Sequence, residues 1–313
     1  MGDTAKQGRV TVIGSLNMDL VARAPRLPRP GETLAGHAFA QVPGGKGGNQ
    51  AVAAARLGAQ VAMIGCVGND SNGATLRGSL EAEGIDCAAL ATSAGAPTGV
   101  ALIVVDDASQ NAIVIVAGSN AEVTPANIEA QDALIGQADV IVCQLETPPD
   151  TVRAALAAGR RLARTTILNP APAARKLPPD WFPLIDYLIP NELEAATLSG
   201  VAIDTPDDAR RAARALKAKG ARNVIVTLGA QGVLALLDGT EGAEGEGVHL
   251  PSPRVEAIDT TAAGDTFIGG FAAELARGAA ALDAIAFGQR AAAIAVTREG
   301  AQPSIPHRSE ISA

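Results

Sequence analysis

The chain has 313 residues, 47% of them hydrophobic but only 2% aromatic, with 34 glycines and a net charge of −8. That length can bury a large core, here of Leu, Ile, Val and Ala, and suggests one large α/β unit with a small appendage. With 25 Lys plus Arg and no long basic cluster, the acidic chain has no electrostatic footprint for nucleic acid or an anionic membrane, so a small solute is the expected partner.

The N-terminus runs straight into the strand-like "VTVIG". It shows no secretion signal, and Gly2 does not open a myristoylation motif because Lys6 stands where Ser or Thr is needed. Nowhere do 18 consecutive apolar residues occur, so no membrane span is expected. Cys66, Cys87 and Cys143 are isolated and lack C-x-x-C spacing, which fits a reducing cytoplasm and neither a disulfide framework nor a zinc site.

Short β-branched runs follow at 9 to 14, 60 to 68, 139 to 146, 165 to 170, 186 to 191 and 223 to 229. Ala-rich helical segments lie between them, at 46 to 58, 71 to 83, 124 to 136, 150 to 163, 191 to 199 and 206 to 219. This alternation predicts a parallel sheet with helices on both faces, whose ligands bind beyond the carboxyl ends of the strands. Polar clusters gather at those ends: "GSLNMDL", "QLE", "NPAP", "PNELE" and "TLGAQG". Two segments break the alternation. Residues 20 to 42 are a Pro-rich excursion ending in the strand-like "GHAFAQV", and 98 to 117 read as a hairpin around Asp106 to Asn111 with arms apolar on both faces. Such arms suit a small sheet covering a ligand on one side and a partner on the other; the alternative is an edge hairpin of the main sheet. The Gly- and Glu-rich stretch 238 to 249 reads as a mobile connection, and two helices are expected at 262 to 277 and 281 to 297.

Three motifs carry chemistry. In "PGGKGGNQAVAAARLG" (43 to 58), four glycines around Lys46 allow close backbone approach to a ligand, and the helix that follows offers free N-terminal amides. It is not a Walker phosphate loop, since Ala40 replaces the first Gly and Gly47 the Ser or Thr. In "DTTAAGDTFIGGF" (259 to 271), Phe267, Phe271 and Leu275 mark one face of a helix starting near Ala262, with Thr260 or Thr261 as N-cap. The amides of Ala262, Ala263 and Gly264 would form an open positive pole for a transferring phosphoryl group, with Asp265 accepting a proton from the attacking hydroxyl. In "NELE", Asn191 and Glu194 share a helix face, suited either to a hydrated Mg²⁺ or to a capping box.

Taken in order, "GSLNMDL", "PGGKGGNQA", "QLE", "NPAP", "PNELEA", "TLGAQG", "DTTAAGDTF" and "AAAIAVTREGAQPS" resemble the ribokinase-like (pfkB-type) carbohydrate kinases over essentially the whole chain. The resemblance implies a Rossmann-like three-layer α/β/α sandwich with a mainly parallel sheet, forming a single domain with a β-sheet lid inserted from about 20 to 42 and 98 to 117. It further implies a homodimer clasped through the lids and transfer of phosphate from ATP to O5 of D-ribose. By the same resemblance Asp265 is the catalytic base, and Ala262, Ala263 and Gly264 form the anion hole. The family often has Gly where Ala262 stands, a mild departure because Ala keeps the amide. Sugar contacts would fall on Asn17, Asp19, Gly45, Lys46, Asn49 and Glu146, and nucleotide contacts on Asn191, Thr227 to Gly232 (Gly229 among them) and Gln289. Glu194 and Asn191 would act on Mg²⁺ through water. A K⁺ activator would lie among Asp259, Thr261, Ala295, Arg298, Gly300 and Ser304; plain C-capping is the alternative for Arg298 and Ser304. Other acceptors within the family are a nucleoside, deoxyribose or another sugar; outside catalysis, a sugar-binding sensor remains, which the intact Asp265 segment argues against.

Overall fold

In the computed structural model, which describes residues 7–108, 110–173, 176–239 and 247–311, the β-branched runs join one nine-stranded sheet. Its strands are β1 (Arg9–Ile13), β4 (Gln60–Gly68), β5 (Leu90–Ser93), β8 (Val140–Cys143), β9 (Thr165–Leu168), β10 (Tyr187–Leu188), β11 (Asn223–Thr227), β12 (Val233–Leu236) and β13 (Val248–Leu250). The remaining four, β2 (Asn17–Ala24), β3 (Ala38–Gly44), β6 (Gly99–Asp106) and β7 (Asn111–Val116), form a second sheet. The helices are α1 (Lys46–Arg56), α2 (Ser71–Ala82), α3 (Pro125–Glu129), α4 (Asp132–Gln137), α5 (Pro149–Arg161), α6 (Glu192–Ser199), α7 (Pro206–Ala218), α8 (Ala263–Arg277) and α9 (Ala281–Ala295).

The main sheet runs β13-β12-β11-β10-β9-β8-β1-β4-β5 and is parallel except at β12 and β13. Its apolar strands are buried on both faces. One hydrophobic cluster holds α1, α2, α8 and α9 against one face, with Leu57 and Phe271 fully buried, and a second holds α3 to α7 against the other, with Ile141 and Leu156 fully buried. The result is the three-layer sandwich that the alternation predicted. β1 pairs with β4 on one side and β8 on the other, so the strand order reverses beside β1 and opens a crevice at its carboxyl end.

Several elements differ from expectation. The run at 186 to 191 forms only two residues of strand, because Pro190 has no N–H to donate and Asn191 already caps α6. The helix predicted over 124 to 136 is two short helices, separated at Ala130 and Gln131. β2 was read as a polar strand end but is a full strand of the second sheet, and β5, β12 and β13 were not predicted. Within the stretch 238 to 249 read as a mobile connection, Val248 and His249 pair with β12; residues 240 to 246 lie outside the described residues. So do Gly2, Lys6 and residue 109.

The second sheet runs β3-β2-β6-β7. Since β6 pairs in parallel with β2, the hairpin is not an edge of the main sheet. Its outer strand is exposed throughout, and the register places Phe39, Leu102, Val114 and Val116 on one face and Ile113 and Ile115 on the other, so both faces leave apolar groups uncovered on this chain.

Small residues set the spacing of α1 and α8. A side chain at Gly269 would overlap Ala53 and the backbone at Ala54. Two residues further along α8, the Phe271 ring packs edge-on against Tyr187 at 5.1 Å between ring centroids. Truncating that buried ring to Ala would cost about 3–5 kcal/mol.

Candidate active site

The site forms where the β1–β2 turn meets the start of α1. Gly45 adopts φ +86°, and Gly45 and Gly47 leave no space for a β-carbon against residues 14 to 17. The glycines around Lys46 therefore serve a close approach to the chain's own turn, where the sequence suggested approach to a ligand. Nor are the first amides of α1 open. Lys46 N–H donates to Glu146 Oε2 (3.2 Å), Gly47 N–H to Ser15 Oγ (3.4 Å) and Gly48 N–H to the Ser15 carbonyl (2.9 Å). The Ser15 hydroxyl also donates to Glu146 Oε2 at 2.5 Å, so the turn, α1 and the loop after β8 are tied at one carboxylate.

Asn17 and Asp19 sit at the start of β2. Asn120 accepts from the Leu16 amide (2.8 Å) and donates to the Leu16 carbonyl (2.9 Å) and to Asn17 Oδ1 (2.8 Å), which fixes Asn17. Gly44, opposite Asn17 in β3, makes room for the Asp19 carboxyl. Burial, with the nearby carboxylates of Glu146 and Asp265, pushes that carboxyl up to about 7 against the opposing pull of Lys46. Burial draws the Lys46 ammonium down, but Asp265, Glu146, Glu194 and Asp19 outweigh it and hold it above its ordinary value.

The opposite wall is the start of α8. The helix is entered through Ala262 in the left-handed conformation, φ +57°, with no side-chain cap. Neither Thr260 nor Thr261 is the N-cap: Thr261 gives both its amide (2.9 Å) and its hydroxyl (2.6 Å) to Asp259 Oδ1. The Ala263 amide, expected to be free, donates to the Thr260 carbonyl at 3.2 Å. Gly264 is open, since a β-carbon there would meet nothing within 4 Å. Asp265 is 8% exposed and accepts from Asn49 Nδ2 at 3.0 Å and from Gln50 Nε2 at 2.8 Å. Asn49 Oδ1 is buried without a hydrogen-bond partner among the described residues, an acceptor that a ligand hydroxyl would satisfy.

Two cavities meet at Gly264. A polar one of 210 Å³ is lined by Lys46, Asn169, Asn191, Glu194, Gly264 and Asp265 among others. A larger one of 530 Å³ lies between the β11–β12 turn, the 252 to 257 segment and α9; Thr227, Thr260 and Ala263 line both. Gly229 (φ +51°) and Gly232 (φ +95°) shape its floor. Gln289 is on its wall, but its Nε2 donates to the Leu250 carbonyl at 3.0 Å and so holds the cavity's own loop.

Asn191 and Glu194 form a capping box on α6. Glu194 nonetheless lines the polar cavity, and burial raises its carboxyl above the usual range. Among the described residues no group of three or more His, Cys, Asp or Glu is placed to hold a metal ion.

Of the residues expected around a monovalent cation, Asp259, Thr261 and Gly300 are brought together, the Gly300 amide donating to Asp259 Oδ2 at 2.9 Å. The Ala295 carbonyl accepts from the Arg298 amide (3.0 Å), a C-capping bond of α9. The Arg298 guanidinium pairs with Glu310, and the buried Ser304 hydroxyl donates to the Ala301 carbonyl. Sequence reasoning missed Ser15, Gln50, Asn120 and Gln144 as parts of the site. For Gln50 a signal was present: an amide inside an otherwise small, apolar helical run.

A small polar cavity joined to a larger apolar one at a helix N-terminus, beyond the strand ends of a doubly covered sheet, is an arrangement for phosphoryl transfer between a polar acceptor and a nucleotide. Residues 7–308 match the pfkB family of carbohydrate kinases, and the chain belongs to that family. The ribokinase of Haemophilus influenzae is 44% identical over 301 residues, covering 96% of each chain. A deoxyribokinase of Salmonella typhi is 39% identical over 95% of each. Among solved structures, Arabidopsis thaliana ribokinase complexed with ribose and ATP aligns with a TM-score of 0.89 over 98% of each chain at 28% identity.

Proposed function

We propose that the chain phosphorylates D-ribose at O5 with ATP as donor. The observation that carries the reading is the position of Asp265, which lies on the polar cavity one residue beyond Gly264, where that cavity meets the larger one. The sugar would be held by Asn17, Asp19, Gly45, Lys46, Asn49 and Glu146, of which Lys46 lines the polar cavity beside Asp265, with ATP along Thr227 to Gly232 and the α9 wall. Asp265 takes the O5 proton as O5 bonds to the γ-phosphorus; the bond to the β-phosphate oxygen breaks and ADP leaves. The amides of Ala262 and Gly264 face the developing charge, and that of Ala263 joins them on exchanging its 3.2 Å bond to Thr260.

Hard oxygen donors that are few and partly engaged suit a hydrated Mg²⁺, so Glu194 and Asn191 would hold it through water, where it supplies charge neutralisation on the phosphates. A K⁺ held by the Asp259 carboxylate and by backbone oxygens between Ala295 and Ser304, in addition to their present hydrogen bonds, would fix the turn before α8. The second sheet acts as the lid, and its exposed apolar face fits the lid of a second copy in a homodimer. A cytoplasmic location accords with three free, buried cysteines and with the finding that no helix among the described residues is long and apolar enough to cross a membrane.

The deoxyribokinase relative gives weight to a second reading in which the acceptor lacks the 2-hydroxyl. ADP release measured with ribose, 2-deoxyribose, fructose and adenosine, each with and without K⁺, separates them. Ribose should turn over fastest; preference for another acceptor, or no turnover with any, would overturn the assignment.

A further inference from the structure

We infer that Gln50 is a positioning residue that holds the Asp265 carboxylate in one orientation, an inference that rests on Asp265 being the proton acceptor. Gln50 lies on α1 beside the proposed sugar contact Asn49 and is 1% exposed. Its Nε2 donates to Asp265 Oδ1 at 2.8 Å and to Asn169 Oδ1 at 3.2 Å, while its Oε1 accepts from Gln144 Nε2 at 2.6 Å. All three bonds run one way. Turning the amide over would set its oxygen against the carboxylate and its nitrogen against the Gln144 amine, leaving buried polar groups unpaired.

Gln144 itself is accommodated because residue 14 is Gly, where a β-carbon would overlap the Gln144 side chain. The network thus commits Asp265 Oδ1 to the protein interior. Oδ2 is left to Asn49, which lies on the sugar side, so Oδ2 is the atom that exchanges Asn49 for the substrate hydroxyl and takes its proton. The charged groups acting on Asp265 are Lys46 from α1, Asp19 from β2 and Glu194 from α6, and the Gln50 variants leave all three in place.

The test is steady-state kinetics with D-ribose and ATP, the pH profile of kcat, and thermal unfolding of Gln50→Leu, Gln50→Glu, Gln144→Met and Asp265→Asn. For Gln50→Leu, kcat should fall by roughly 10- to 100-fold with the sugar KM within about threefold, and the acid limb of kcat should move up by about one pH unit. Gln50→Glu should move that limb further, because two carboxylates then share one site. Gln144→Met, which only frees the amide to turn, should give a smaller shift of the same sign. An acid limb unmoved in the Gln50 variants overturns the inference even if kcat falls, since mere loss of packing would lower kcat without moving it. If Gln50→Leu fails to fold, the same criterion applies to Gln50→Glu and Gln144→Met. Asp265→Asn distinguishes the two levels: near-normal turnover in that variant removes the base assignment itself, whereas its inactivity beside a wild-type Gln50→Leu removes only the role of Gln50.

Discussion

The two halves of the site are built on opposite plans. On the proposed sugar side nearly every group is a side chain held by another side chain: Ser15 on Glu146, Asn120 on Asn17, Gln50 and Asn49 on Asp265. On the proposed nucleotide side the wall is glycine turns, the apolar groups of Val233, Val255 and Phe267, and a loop whose backbone carbonyls accept from the Gln289 amide. Buried polar groups with fixed partners reject an acceptor that lacks a matching hydroxyl, because something is then left unpaired. Apolar walls grade their contacts and discriminate weakly. Specificity should therefore reside in the first half, and the second should tolerate change.

The strongest way to break this contrast is at the junction. Asp265→Asn should lower kcat by about 10²–10⁴-fold with sugar affinity largely kept, as measured by turnover and by equilibrium sugar binding. Next, Asp19→Asn should weaken sugar binding by roughly 10- to 100-fold while the ATP KM stays within about twofold. The same variant has a stability signature. The folded Asp19 carboxyl titrates near 7 against an ordinary value of 3.8, so folding disfavours its charged form. That penalty is absent below about pH 4, grows as pH rises and is complete above about 7; the sugar-free Tm of Asp19→Asn should exceed wild type most at pH 8 and less at pH 5.

On the nucleotide side, K⁺ should activate well beyond Na⁺ or Li⁺ by shaping the turn before α8, and equal rates in the three chloride salts would remove the cation site. The smallest effect is expected at Ala262. An L-residue at φ +57° carries a conformational cost that Gly avoids, so Ala262→Gly should raise the unfolding free energy by about 0.5–1 kcal/mol, read by denaturant titration.

Much of this was legible because periodicity reports burial. The strands of the parallel sheet other than β5, and helices α1, α2 and α5 to α9, follow from apolar runs and Ala-rich spacing, and the proposed sugar residues all fall on the quoted motifs. What was not legible depended on long-range geometry. Nothing local shows that Thr261 turns to Asp259 and leaves the helix to start from a left-handed Ala262, nor that Asn120 reaches back 104 residues to Leu16. β12 and β13 are short edge strands whose pairing, not their pattern, defines them. The departure at Ala262 looked mild as a sequence and proves to be a backbone position suited to Gly.

The Gly269 contact gives the unusual composition a meaning beyond core filling. Asp265 precedes Gly269 by one helical turn, as Asn49 and Gln50 precede Ala53 and Ala54, so the polar contact and the small-residue contact are successive rungs between the same two helices. A methyl group added at the lower rung widens the upper one. Substitutions that look conservative by hydropathy, such as Ala to Val along this seam, would then register as losses of turnover before losses of stability. The small residues at this seam act as a gauge block: they set the reach between Asp265 and the sugar it is proposed to deprotonate.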